Sequence, residues 1–168
     1  MTELTEFEDK VIEDKESKMG SLNHGMVQGQ ITGLLFADKR FRVIPELSLD
    51  TSQIDLSQFG LKAKKELIPD ICVYPHTIKR KRRDVIRMLE MPLLAIEVIS
   101  PQQGIEEILI KFDAYFTLGI KSCWLVVPSM EAVDVYSQPE QHRIFDMSDT
   151  EVIDEVMDIH LPIQEIFD

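Results

Sequence analysis

Between His24 and Lys39 the apolar residues Val27, Ile31, Leu34 and Leu35 recur at i, i+4, i+7 and i+8, the spacing of a helix with one face on a core. From Phe41 to Leu49 the period drops to two. Phe41, Val43, Leu47 and Leu49 fall on one side and Arg42, Glu46 and Ser48 on the other, which predicts a half-buried strand, and Pro45 assigns it to a sheet edge. Residues 50–68 are polar and aperiodic, a loop that carries at most a short strand or turn. Residues 69–74 predict a short strand with Ile71 and Val73 on one face and Asp70, Cys72 and Tyr74 on the other. Residues 93–100 are apolar on both faces except for Glu97, the pattern of a central strand covered on both sides. After Ser100 and Pro101, apolar residues at 105, 108, 109, 112, 115 and 116 predict a helix to about Leu118, with Gly119 as its stop. Residues 122–128 give another buried strand, 133–136 and 142–145 a hairpin, and 161–167 a short terminal helix.

The order is helix, three strands, helix, strand, hairpin. Consecutive strands ahead of the second helix predict an α/β fold of α+β type, a mixed sheet of about four to six strands with helices on both sides. The chain has 168 residues, 44% of them hydrophobic, the size of one core. Residues 19–168 are therefore expected to form a single domain behind an acidic N-terminal segment, 1–18. No apolar run reaches the roughly 20 residues of a membrane helix, and the acidic start lacks the features of a secretory signal, so a cytoplasmic protein with no membrane partner is expected. Cys72 and Cys123 stand alone in apolar runs and read as core thiols, not as a disulfide or zinc site.

The net charge of −12 argues against nucleic acid as a partner if it is evenly spread. It is not. Residues 1–18 carry −4 and residues 144–168 carry −8 with no Lys or Arg, so the two ends hold the whole excess. Within the balanced middle, residues 62–87 have nine basic side chains against Glu66, Asp70 and Asp84. The densest part is Lys79, Arg80, Lys81, Arg82 and Arg83, followed by Arg87, between two predicted strands. Such a run is either a solvated loop or a phosphate-contacting surface.

Glu97 has no structural explanation in its own strand, because burying a lone carboxylate costs several kcal/mol unless it is paired, protonated or bound to a cation. If strands 69–75 and 93–99 pair antiparallel, Asp70 lies beside Glu97, with Cβ atoms about 4.5–5.5 Å apart. Two such carboxylates with no Cys or His cluster suit a hard cation, Mg²⁺ or Mn²⁺. On a helical wheel Lys111 falls about 40° beyond Tyr115 at the margin of the apolar stripe, where its ammonium can lean toward the sheet. Singly, each has a plain reading: a strand-entry cap, an ion-pair partner, a snorkelling lysine.

Taken together, His24 at the first helix, Pro69-Asp70, the run IEVISP at 96–101, Lys111 and Tyr115, Gly119-Ile120 and Trp124-Leu125-Val126 resemble the Uma-type family of proteins assigned as restriction endonucleases, within the PD-(D/E)XK nuclease superfamily. The resemblance implies a restriction-endonuclease-like core and a metal-dependent endonuclease acting on DNA. It implies Asp70 and Glu97 as Mg²⁺ (or Mn²⁺) ligands, Lys111 as the group that positions the attacking water, and His24 as a third ligand or general acid. Glu46 is a weaker candidate for a further acidic ligand. A homodimer would follow if both strands of a duplex are cut. Two positions depart from the pattern: the superfamily lysine two residues after the acid is Ile99 here, and Val127 stands where the close family often has an acid before the proline. With the acidic C-terminal stretch, Val127 motivates the competing expectation of an inactive nuclease-like fold that works as a binding module.

Overall fold

The computed structural model describes residues 20–62 and 65–168; the acidic segment 1–18 lies outside them. Helix α1 runs Leu22–Phe36. It starts two residues before His24 because Ser21 caps it, accepting a hydrogen bond from the His24 N–H at 3.3 Å. Strand β1 (Phe41–Pro45) is shorter than the alternation predicts. The chain turns at Glu46, which adopts the left-handed conformation at φ 55°, and Leu49 ends in a different part of the core from Phe41 and Val43. The region expected to be a loop holds β2 (Leu49–Asp50), a 3₁₀ turn at Leu56–Phe59 and β3 (Glu66–Leu67). Two-residue strands are too short for any period to show.

Then follow β4 (Ile71–Pro75), β5 (Leu94–Val98), helix α2 (Ile105–Thr117) and β6 (Ser122–Val127). Glu106 and Glu107 in the first turn of α2 complement the helix dipole, and Gly119 ends the turn after it at φ 99°, a conformation that favours glycine. The hairpin is β7 (Ala132–Gln138) and β8 (Gln141–Phe145). A second hairpin, β9 (Glu151–Asp154) with β10 (Ile159–Pro162), precedes α3 (Ile163–Phe167).

Among the described residues the main sheet has six strands in the order β1-β4-β5-β6-β7-β8. Only β5 and β6 pair in parallel, joined by the α2 crossover, so the sheet is mixed, and β1 with its proline lies at an edge. One face of the sheet, through Ile71, Val73, Leu94, Ile96, Val98 and Trp124, packs on α1 and α3. The other, through Cys72, Tyr74, Ala95, Cys123 and Leu125, packs on Ile108, Phe112 and Tyr115 of α2. Both cysteines are buried free thiols.

The acidic C-terminal stretch is part of the fold. Val152, Ile159, Leu161, Ile163 and Ile166 enter the α1-side core. At about 1.5–3 kcal/mol for each buried aliphatic side chain, they carry a contribution as large as the whole net stability of an ordinary domain. Asp154, fully buried, accepts hydrogen bonds from Ser122 Oγ at 2.5 Å, Trp124 Nε1 at 2.8 Å and the Met157 N–H at 3.0 Å. It ties the second hairpin to β6.

Candidate active site

Asp70 directly precedes β4 and Glu97 is the second-last residue of β5. The register of the two strands pairs Ile71 with Ile96 and Cys72 with Ala95; continued by one residue it sets Asp70 opposite Glu97. Val98 N–H donates to Asp70 Oδ2 at 2.7 Å, which fixes the carboxylate at the end of the strand pair.

Helix α1 reaches this point from the other face of the sheet. His24 Nε2 lies 3.2 Å from the same Oδ2, and Gln28, one turn on, donates from Nε2 to the Asp70 carbonyl at 2.9 Å. The Glu46 N–H donates to that carbonyl at 3.0 Å. The left-handed turn at Glu46 thus has a local purpose: it directs a backbone N–H at Asp70 and leaves an exposed carboxylate near the site. The hydrogen bond to Asp70 raises the His24 pKa against the opposing effect of burial, and the charges of Asp70, Glu97 and Glu46 raise it further.

From α2, Tyr115 OH donates to Glu97 Oε1 at 2.6 Å. Lys111 is half-buried one turn earlier, and its charge favours the Glu97 carboxylate. Burial opposes it and wins, with the negative charge of Asp70 adding to the effect, so that Glu97 is pushed up to about 8. Without a cation Glu97 therefore holds a proton at neutral pH. A divalent ion could take the place of that proton, and the donor chemistry of two opposed carboxylates fits a hard metal. Among the described residues no three His, Cys, Asp or Glu side chains converge as a closed cage. The set matches an ion held by Asp70 and Glu97 and completed by water, the mode Mg²⁺ favours.

The structure thus brings His24, Asp70, Glu97 and Lys111 to one end of the sheet, with Glu46 at its margin. Gln28 and Tyr115 belong to the same cluster. Gln28 lies at i+4 from His24, a spacing that puts both on one helix face and was the available signal. Val127, at the same end of β6, packs against the α2-side core, so an apolar wall stands where the close family often has an acid. A shallow depression of about 330 Å³ lined by Gln30, Gly33, Leu34, Glu165 and Asp168 shares no residue with this cluster.

The basic stretch is placed differently. The loop 76–93 leaves β4 at the end remote from Asp70, and the five residues of β4 span roughly 17 Å at about 3.3 Å each. Lys79, Arg80, Lys81, Arg82, Arg83 and Arg87 are all exposed. Of these six, Arg87 lies 3.8 Å from the Glu66 carboxylate of β3.

A mixed sheet flanked by helices, with two opposed carboxylates at the end of its β4–β5 pair, defines a restriction-endonuclease-like core. The solved structure of a "putative nuclease belonging to DUF820" from Anabaena variabilis is similar to this chain at TM-score 0.69, with 22% identity, covering 90% of this chain and 83% of that one. The likeness is one of fold. The family model Uma2, described as "Putative restriction endonuclease", matches residues 9–164, and the chain belongs to that family. No curated protein matches it. Among the described residues no helix is long and apolar enough to cross a membrane.

Proposed function

We propose that the protein is a metal-dependent endonuclease that hydrolyses phosphodiester bonds of DNA. The observation that carries this reading is the pairing of Asp70 with a buried Glu97 across β4 and β5, with Lys111 and Tyr115 delivered to the same carboxylate by α2. Asp70 and Glu97 would hold Mg²⁺ or Mn²⁺, which when bound supplies a polarised phosphate oxygen and an acidified water. The chain's own residues do the rest. Tyr115 and the Val98 N–H orient the two carboxylates, Lys111 offers positive charge to the phosphate as negative charge develops, and His24, hydrogen-bonded to Asp70, is placed to move a proton.

Purified protein with Mg²⁺ or Mn²⁺ is expected to nick plasmid DNA. Asp70→Ala, Glu97→Ala and Lys111→Ala are each expected to reduce the rate by at least about 100-fold with unchanged circular dichroism. Undiminished cleavage by all three refutes the assignment. The competing reading, an inactive binding module, loses one of its two motives because the acidic C-terminal stretch is core structure, and keeps Val127. It predicts no calorimetric Mn²⁺ signal, whereas the nuclease reading predicts one that disappears in Glu97→Ala.

A further inference from the structure

The loop between β4 and β5 displays two large aliphatic side chains among its cations. Ile86 is 87% exposed and Leu89 72% exposed. Neither sits on a loose tip. Met88 donates to the Ser48 carbonyl at 2.8 Å and accepts from the Asp50 N–H at 2.9 Å, forming a parallel bridge with Leu49. The Glu90 carbonyl accepts from Tyr74 OH at 2.6 Å, and Met88 and Met91 pack into the α2-side core. The backbone on both sides of Leu89 is therefore pinned, and Ile86 is followed by Arg87, itself beside Glu66. The core takes up 88 and 91 and leaves 86 and 89 outside, where neither gains the stabilisation that burial offers an aliphatic side chain.

Anchored aliphatics beside six exposed cations, which outnumber the nearby acids Asp84, Glu90 and Glu66, call for a partner that is both polyanionic and apolar in section. A protein interface core is depleted in charge overall, even though it accepts arginine, so a run of six cations suits a polyanion better. A nucleic acid has both properties, phosphates outside and base faces within, and aliphatic wedges inserted between base steps are an established way to kink a duplex. We propose that residues 79–89 form a duplex-opening wedge, with the cations on phosphates and Ile86 and Leu89 seated in an unstacked base step, so that the favoured substrate is DNA with a weakly stacked or mispaired step. This rests on the reading of DNA as the substrate.

The test uses the full chain in EDTA, so that nothing is cut, and two short duplexes identical but for one mispaired step beside a 2-aminopurine. Wild type is expected to bind the mispaired duplex about tenfold more tightly than the paired one, since part of the unstacking cost is already met there, and to raise the 2-aminopurine fluorescence. Ile86→Ser with Leu89→Ser is expected to lose both the preference and the fluorescence change while keeping its affinity for the paired duplex and its melting temperature. Arg82→Ala with Arg83→Ala is expected to weaken both duplexes together and to lower the salt slope by about two. Wild-type binding without preference, or a preference that survives in the Ile86/Leu89 variant, overturns the wedge alone. Wild-type binding to neither duplex overturns the DNA reading with it. Binding to phosphatidylserine vesicles that depends on Ile86 and Leu89, with DNA binding that does not, assigns the loop to a membrane surface instead.

Discussion

Glu97 concentrates the chemistry of the site in one titration. Its folded-state pKa, about 8, lies above the ordinary 4.5, so below pH 4.5 it is protonated in both folded and unfolded chains. Between those values the unfolded chain loses the proton and the folded one keeps it, and stability falls as pH rises, by up to about 1.4 kcal/mol per pH unit. His24, also raised, acts in the same direction: its contribution is present below its unfolded value and is lost as pH rises through the folded one. The metal-free protein is thus expected to melt at a lower temperature at pH 8 than at pH 5. Glu97→Gln, which keeps an acceptor for Tyr115 and has no proton to lose, is expected to flatten most of that slope and to be the more stable of the two at pH 8 while failing to cut DNA. Parallel pH–melting curves for wild type and variant would rule this out. Asp70, Glu97 and Lys111 were legible in the sequence because each contradicts its surroundings: a charge inside an apolar strand, an acid at a strand entry, a lysine beside an apolar stripe. Gln28 and Glu46 contradict nothing. A polar residue on a helix and an acid in an alternating run fit their local pattern, and their part in holding Asp70 comes from residues some 24 to 42 positions away.

Among the elements, those with long periods were readable and those held by tertiary contacts were not. The central strands and both main helices follow from their apolar spacing. The β9–β10 hairpin was missed because its turn contains no glycine or asparagine; Asp158 supplies the left-handed residue at φ 51°, and its strands lie in a stretch read as merely acidic. Truncating residues 144–168 cannot test whether this acidic stretch shields a binding face, since the truncated chain lacks seven core residues, Phe145, Val152, Met157, Ile159, Leu161, Ile163 and Ile166, and should not fold. Asp154→Ala isolates the hairpin's attachment. It leaves the Trp124 and Met157 N–H groups without their acceptor and the Ser122 hydroxyl with only the Tyr136 carbonyl at 3.4 Å, and is expected to cost about 3 kcal/mol in a denaturant titration, with Asp154→Asn costing less. A loss below about 0.5 kcal/mol would mean that those donors find other acceptors.

For the whole molecule, the net charge of −12 is a poor guide, because its C-terminal share of −8 sits on a structural unit while the densest positive run sits on one loop. Glu155, Asp158 and Glu165 are exposed, so Glu155→Gln, Asp158→Asn and Glu165→Gln together are expected to leave the melting temperature nearly unchanged. DNA affinity should rise at low ionic strength, an effect that vanishes at high salt as the charges are screened. An increase that persists at high salt would point to direct contact by those side chains. The same layout has a consequence for how such a protein can change. The carboxylates lie at one end of the β4–β5 pair and the loop 76–93 emerges from the other, so the register that aligns Asp70 with Glu97 sets no limit on the length or sequence of that loop beyond its hold on Leu49 and Tyr74. On the proposed function, recognition can therefore diverge by exchange of one connector while the carboxylate end is inherited intact, and a designer could graft connectors onto this strand pair on the same terms.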